Sequence, residues 1–478
     1  MPIGLAAVLF IPLTAAAVLA LLPDYRASAR LNMLAGLLGF GFAVGLAIDR
    51  PAPGPVLFVD DLNVVFIGLG TFVGFTTSVF SASYIAHELH TGKLTPLYLR
   101  FYHAMYQLMM FGMNLALVAN NIGLMWVALE LATLTTVLMV GIYRTPAAIE
   151  AAWKYFILGS VGIALALFGT ILVYMAARTV LGEGADAMVW TALVEAAPRF
   201  DPSLLNLAFV FLLIGYGTKV GLAPLHAWLP DAHAEGPTPI SAVLSGLLLN
   251  VALYALLRFK ILLAANPAAI APGPLMITLG LISVVFAAFM LYRRRDIKRL
   301  FAYSSIEHMG IIVFAFGMAG PIGNFAGLLQ MTLHSLTKSA IFFTVGHIAQ
   351  VKGSQRLSEI GGLTATHPLL GWGLVAGVAA IAGLPPFGIF MSEFLVLTST
   401  FARAPILAAI LGFGLLVAFG ALLMRLNAIA FGAPRGPVGP VEASTLPLFA
   451  HLALVLGAGF YLPAPLVAWF EHVARMLG

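Results

Sequence analysis

The chain has 478 residues, 61% of them hydrophobic and only 9% charged, with a formal net charge of +5 and a mean hydropathy of +1.01. A soluble domain carries about 25% charged residues, so an ordinary soluble globular protein is excluded, and the modest positive charge reads as membrane orientation, not affinity for nucleic acid. There is no cysteine, which removes disulfides, thiolate metal sites and cysteine-ligated iron–sulfur clusters.

Apolar runs of roughly 20 residues predict transmembrane helices. In chain order they fall near 3–22, 31–48, 62–82, 101–119, 122–142, 152–177, 204–229, 239–259, 273–292, 301–320, 323–348, 367–401, 404–424 and 445–470. The first is expected to be a span and not a removed signal. The twelfth is too long for one straight span and contains GLPPFG (383–388), which predicts a break in its middle. APRGPVGP (433–440) reads as a connector, and no soluble domain is expected. The fold class is an all-α polytopic membrane protein of about 14 transmembrane helices.

The basic residues orient these spans. Fifteen lysines and arginines fall in loops after odd-numbered spans, seven in loops after even-numbered spans and at the termini, and Lys219 and Lys338 lie within spans. The positive-inside rule puts the odd loops in the cytoplasm and both termini outside. RRRDIKR (293–299) reads as a cytoplasmic anchor, with a lipid or partner contact as the alternative.

With loops assigned, the ionisable residues at membrane depth are Glu130, Lys219, His334, Lys338 and Glu393, with Glu307 and His308 expected nearer an edge. A charge at the bilayer centre costs about 2.5–3.5 kcal/mol, so such residues pair, face a wet cavity or change protonation state. The bland reading is an ion pair that glues helices together; five charges of both signs over four spans favour a pathway. Glu130 in WVALELATL is the expected partner of Lys219, whose ammonium needs an anion or water when buried. His334 and Lys338, four residues apart in LHSLTKSA, share one helix face; the alternative for them is a polar helix–helix contact with Ser335 and Thr337. Glu393 could instead satisfy backbone amides freed by the break at Pro385–Pro386. His226, Asp231, His233 and Glu235 cluster where the seventh span leaves the membrane, as a candidate proton-collecting mouth or a solvated helix terminus. They lack a recognised metal-ligand spacing, so no metal is expected.

Two stretches, GTKVGLAP in the seventh span and GLPPFGIFMSE in the twelfth, join Gly and Pro to an intramembrane charge. Helix breaks in lipid are tolerated where they line protein or water. Discontinuous helices five spans apart predict two five-helix repeats, spans 4–8 and 9–13, the second inverted relative to the first. The corresponding division is a three-helix N-terminal segment (1–100), the first repeat (101–260), the second (261–425) and the last span (426–478).

KVGLAPLHAWLPDAHAEGPTPISAVLSG, DIKRLFAYSSIEHMG and LHSLTKSAIFF, in that order, resemble the signatures of the antiporter-like subunits shared by respiratory complex I, multisubunit cation/proton antiporters and membrane-bound nickel–iron hydrogenases. With EAAWKYFILGSVGIALALFGT (150–170), the chain looks closest to the hydrogenase-4 component F type. The resemblance implies fourteen spans and proton translocation through buried charges. Carried over by motif, Glu130 is the fifth-span glutamate, Lys219 the seventh-span lysine, His334 and Lys338 the eleventh-span relay, and Glu393 the twelfth-span terminal residue. In the eighth span, where the family often has a lysine, LLNVALYALLRF has Asn250, which can line water but cannot titrate.

The resemblance implies a proton-translocating, non-redox subunit of a redox-driven complex. Its partners would be other membrane subunits, lipid and a peripheral hydrogenase or dehydrogenase arm. It would lie in a bacterial or archaeal cytoplasmic (inner) membrane and hold no cofactor of its own. The alternatives are a subunit of a Na⁺(K⁺)/H⁺ antiporter and a non-transporting scaffold for a peripheral enzyme.

Overall fold

In the computed structural model, the structure describes residues 2–441 and 444–478. It is built of helices: α1 (Ile3–Leu21), α2 (Tyr25–Ile48), α3 (Asp61–His90), α4 (Pro96–Val118), α5 (Ile122–Val140), α6 (Pro146–Leu181), α7 (Trp190–Ala196), α8 (Pro202–Val220), α9 (Trp228–Glu235), α10 (Thr238–Val243), α11 (Leu249–Ala264), α12 (Gly273–Leu291), α13 (Ile297–Met318), α14 (Gly320–Lys352), α15 (Leu363–Thr366), α16 (Pro368–Ile381), α17 (Gly388–Arg403), α18 (Pro405–Leu426), α19 (Leu446–Phe460) and α20 (Ala464–Met476). Many begin where short polar side chains satisfy the first-turn amides. Asp24, Asn121, Thr145, Asp201 and Asp296 each accept such a bond, and Asp60 forms a reciprocal capping box with Asn63. Among the described residues there is no strand. Among those residues ten helices are long and apolar enough to cross a membrane, or up to 11 if the α19–α20 pair is one span.

Isolated backbone bridges sort the loops into two ends. Asp296 pairs with Arg356 and Gly361 with Arg435 at one end; Leu57 pairs with Ala119 and Asn121 with Val189 at the other. The basic loops after the ninth, eleventh and thirteenth apolar stretches therefore share an end, as the charge count expects. The C-terminal helix lies at the opposite end: Lys260 donates to the Leu477 carbonyl at 2.7 Å, and Trp469 to that of Asp61 at 3.1 Å.

Packing is inside-out relative to a soluble protein. Trp153, Ile157, Phe168, Phe413 and Leu416 are exposed, whereas α11, α13 and most of α14 are enclosed and hold serines, asparagines, histidines and lysines. Lipid gives apolar side chains no reason to turn inward, so close packing and polar contacts hold the helices. Small residues allow that approach: a Cβ on Gly215 of α8 would sit 2.6 Å from the Gly162 carbonyl oxygen of α6.

Several expectations are corrected. The last apolar stretch does not run straight to 470; it ends at Phe460, and α20 departs from it by 83°. Between the sixth and seventh apolar stretches, α6 continues to Leu181 and the short α7 follows. Glu307 and His308 are not near an edge: they lie mid-way along enclosed α13, 2% and 1% exposed. Arg258 and Lys260, at the end of the eighth apolar stretch, and Lys298 of RRRDIKR are buried. Each is held by protein oxygen: Arg258 by Asp60, Lys260 by Leu477, and Lys298 by the carbonyls of Ala234 and Gly236.

Candidate functional site

The two breaks are built alike. At the end of α8, Gly221 takes a left-handed conformation (φ 82°). The Leu222 N–H bonds the Gly217 carbonyl at 3.0 Å and the Gly221 N–H that of Thr218 at 3.2 Å. At the end of α16, Gly383 (φ 66°) repeats the pattern: Leu384 N–H to Ala379 O at 3.0 Å, Gly383 N–H to Ala380 O at 3.2 Å. This is the Schellman termination, which only glycine enters without strain. Each Gly-Leu is followed by Pro224 or Pro386 three residues after the glycine, which stops the helix from resuming at once. Side chains satisfy the freed groups at the first break: Trp228 donates to the Thr218 carbonyl at 2.9 Å, and Ser283 accepts from the Ala223 N–H at 2.9 Å.

Lys219 stands in the last turn before the first break, 1% exposed. Its Nζ lies 3.4 Å from Oε2 of Glu130 on α5 and donates to the Thr133 hydroxyl at 3.0 Å. Glu130 itself is partly exposed. The pair read from the sequence is thus brought together, one member enclosed and the other reaching the bundle surface.

The four residues expected at the mouth do not form one group. Asp231 is bound by Lys154 and Arg299, each at 3.1 Å, and Arg299 also reaches Glu235 at 3.4 Å. His226 packs against Phe286 and Tyr303 at the break. His233 turns fully inward and stacks on Phe342 with ring centroids 4.7 Å apart; neither ring nitrogen has a hydrogen-bond partner among the described residues. No group of three or more ligating side chains suited to a metal ion occurs among the described residues.

Between α10 and α11 the helix passes through a π-helical turn, Leu244–Leu248. Such turns redirect side chains and favour functional sites. Here the turn presents Ser245 to the Ser305 hydroxyl at 2.7 Å, and Asn250 follows, donating to the Ser335 hydroxyl at 2.6 Å. Asn250 lines a cavity of ≈ 10 Å³, about the size that admits one water.

Lys338 donates to the Phe301 carbonyl at 3.0 Å, and its ammonium lies 5.7 Å from the centre of that phenyl ring. His334 and Lys338 share a helix face but make no bond to each other; His334 stacks instead on His308, centroids 5.5 Å apart. His308 Nδ1 accepts from the Gln330 amide at 2.9 Å and is 3.9 Å from Oε1 of Glu393. Ser392 closes the row by donating to Gln330. Glu307 sits within electrostatic reach of both Lys338 and Glu393. With Glu393 it lines a cavity of ≈ 380 Å³ bounded by α17 and α18.

The sequence reading missed Gln330, Ser392 and the central place of Glu307. The EHMG motif was a usable signal for Glu307, but nothing local marked Gln330 or Ser392. Groups that each hold one proton, spaced through an enclosed polar layer, are the equipment for stepwise proton transfer across a low-dielectric slab.

The family model for the transmembrane part of NADH:quinone oxidoreductase and Mrp antiporter subunits matches residues 119–419. That range contains both breaks and the whole polar row. The chain is 61% identical over 472 residues, 99% of both proteins, to a hydrogenase-4 component F homolog of Methylacidiphilum infernorum. It is 31% identical over 313 residues to NADH-quinone oxidoreductase subunit M of Pseudomonas aeruginosa, covering 64% of this chain and 60% of that one. Among solved structures, the fold resembles a chain of the membrane-bound sulfane sulfur reductase, an archaeal respiratory membrane complex (TM-score 0.88, 22% identity, 99% and 97% of the two chains). It also resembles chains of the Mrp complex from Dietzia sp. (0.80, 19%, 99% and 97%) and of respiratory complex I from Thermus thermophilus (0.77, 25%, 96% and 97%). With the family's transmembrane region matched across both broken helices and near-complete coverage by a close relative, the chain belongs to the NADH:quinone oxidoreductase/Mrp antiporter transmembrane family.

Proposed function

We propose that this chain is an antiporter-like subunit that moves protons through the membrane within a redox-driven complex of the hydrogenase-4 or complex I type. The observation that carries the reading is the Lys219–Glu130 pair at 3.4 Å, set in the last turn before the Gly221 break. An inert scaffold gains nothing from a buried cation beside an interrupted helix, since both are costly in lipid.

In this reading Glu130 and Lys219 form the first switch, and His334, Lys338 and Glu393 carry the proton through the second half, joined by Glu307 and His308. His226, Asp231 and His233 mark the side of uptake, and Asn250 contributes water in place of a titrating group. Two inverted five-helix repeats, within 101–260 and 261–425, account for the matching terminations at Gly221 and Gly383. The basic end faces the cytoplasm, both termini face outward, and the membrane is a bacterial or archaeal inner membrane. Other membrane subunits and a peripheral hydrogenase- or dehydrogenase-type arm are the partners, and the electron chemistry belongs to them.

The test is Lys219→Ala in the assembled complex: coupled proton movement is lost while assembly persists, and unchanged pumping overturns the reading. The second reading, exchange of Na⁺ or K⁺ for H⁺, draws on the Mrp members of the family. It requires proton flux that depends on the opposing cation at fixed redox turnover.

A further inference from the structure

A second polar route leads inward from the basic end, apart from the Asp231 mouth. Where α3 and α14 finish, Ser83, His87, His347, Gln350 and residues 439–441 line a cavity of ≈ 190 Å³. Pro440 at its rim is exposed, whereas His347 in its wall is buried. Behind this cavity lies Glu88, a carboxylate only 1% exposed. The Gln350 amide, which lines the cavity, donates to Glu88 Oε1 and to the Tyr84 carbonyl, both at 3.1 Å. Lys93 faces Oε2 at 3.5 Å.

Hydroxyl groups continue from Glu88 toward the centre. Tyr143 lies within reach of Glu88 and Tyr84, and the Thr238 hydroxyl donates to the Tyr84 hydroxyl at 3.2 Å. Thr238 opens α10, two residues after Gly236, whose carbonyl holds the Lys298 ammonium at 2.8 Å. Lys298 feels the charges of Asp296, Glu88 and Glu235. On its inner side lies His233, within electrostatic reach of both Lys298 and Lys338 and with both ring nitrogens unengaged among the described residues.

We propose that protons bound for Lys338 are taken up through the cavity between α3 and α14, with Glu88 as their first buried acceptor and His233 as the inner one. This rests on the proton-translocating function proposed above and names its uptake site. Glu88 takes a proton from cavity water and becomes the neutral acid. The proton passes over the Tyr84 and Thr238 hydroxyls, and over water where side chains do not touch, to a ring nitrogen of His233, and from the imidazolium so formed to the Lys338 amine once Lys338 has passed its own proton on, which leaves Glu88 and His233 as they began. No other bond forms or breaks. Protonating Glu88 also removes part of the negative charge that balances Lys298, which drives positive charge inward.

Two measurements on the assembled complex in its native membrane test the proposal. Since the chain has no cysteine, Ser83→Cys gives it a single thiol. A charged, membrane-impermeant thiol reagent should label this chain, read by its mass, in inverted vesicles and leave it unlabelled in right-side-out ones. Absence of labelling from the cytoplasmic face overturns the proposal. In inverted vesicles energised by the complex's own redox reaction, Glu88→Gln should lower proton flux at least about tenfold, the scale of a lost proton-transfer group. Glu88→Asp should restore most of it, as a packing role would not. If Glu88→Gln does not assemble, Ser83→Trp, which fills the cavity without altering the carboxylate, replaces it with the same expected loss. Full flux in these variants, with Lys219→Ala inactive beside them, overturns the uptake site alone; full flux in Lys219→Ala overturns the proposed function and this inference with it.

Discussion

The Lys338 ammonium and the Ser305 hydroxyl share one acceptor, the main-chain carbonyl of Phe301, each at 3.0 Å. Ser305 in turn meets Ser245 in the π-helical turn at 2.7 Å. A buried lysine on α14 is therefore held by neutral oxygens supplied from α13, and no described carboxylate is in hydrogen-bond contact with it. The acidic influence on it is Glu307, two residues beyond Ser305 on α13 and within reach of its charge.

Glu307 thus lies within electrostatic reach of both Lys338 and Glu393, where the proposed relay would use it. Glu307→Gln keeps the volume and removes the titrating group. Coupled proton flux is expected to fall at least about tenfold with the complex assembled. Proton flux per redox turnover in vesicles checks it, and an unaltered ratio would remove Glu307 from the relay.

The two terminating glycines differ in what surrounds them. Alanine in the left-handed conformation costs about 1–2 kcal/mol at either site. At Gly221 the added Cβ meets a Leu229 methyl at 3.2 Å, which a side chain can yield. At Gly383 it runs into the Glu393 carboxylate. Gly221→Ala should lower thermal stability by about that amount. Gly383→Ala should lower it further and reduce flux by displacing Glu393. Thermal unfolding of the solubilised complex ranks the two, and equal losses would show that Glu393 moves aside freely.

Asn250 lies against a cavity of ≈ 10 Å³ and bonds Ser335 at 2.6 Å. A lysine at this position needs more room than that space supplies, and overpacking an enclosed site costs about 1–3 kcal/mol. Asn250→Lys is expected to reduce assembly, whereas Asn250→Ser, which is smaller and still polar, should assemble. Yields of intact complex decide it; normal assembly of the lysine variant would mean that the site opens to a larger wet space.

At the opposite end, Asp60 bonds Arg258 at 2.6 Å, and that guanidinium lies over Phe58, Trp190 and Tyr254. Burial alone would raise the Asp60 carboxyl. The charge and hydrogen bond of Arg258 and the amides of Asn63 and Leu62 outweigh it and hold the group below its ordinary 3.8. A depressed carboxyl stabilises the fold above the unfolded value and loses that contribution as pH falls through the lower folded value. Acid weakening of this contact therefore belongs below pH 3.8, and Asp60→Asn should abolish that part of the pH dependence. Arg258→Ala should cost about 3 kcal/mol or more by leaving Asp60 unpaired. Thermal unfolding across acid pH measures both.

Much of the site was legible because charges are rare in apolar runs. Lys219 beside GLAP and Glu393 beyond GLPP had few readings other than a polar break, and Glu130 was the natural anion for Lys219. Glu307 and His308 were misplaced because they follow soon after RRRDIKR, and a basic cluster reads as the membrane edge. In the structure Lys298 of that cluster is already buried, capped by carbonyls of Ala234 and Gly236. His233 looked like part of a surface mouth because it shares a short segment with Asp231, yet two residues along α9 is a rotation of about 200°, which points the two in different directions.

By itself the sequence determined that this chain lives in a membrane, that its apolar runs are helical, where two of them break and that a few charges lie among them. These follow from local physics: backbone groups need partners in hydrocarbon, glycine alone enters the left-handed turn without strain, and buried charge is costly. Only the tertiary structure decided which charge meets which. Lys219 and Glu130 stand 89 residues apart, and hydropathy averages along the chain cannot say whether a helix faces lipid or other helices. Enclosure by its neighbours makes α13 a polar interior, and that depends on how all the helices pack.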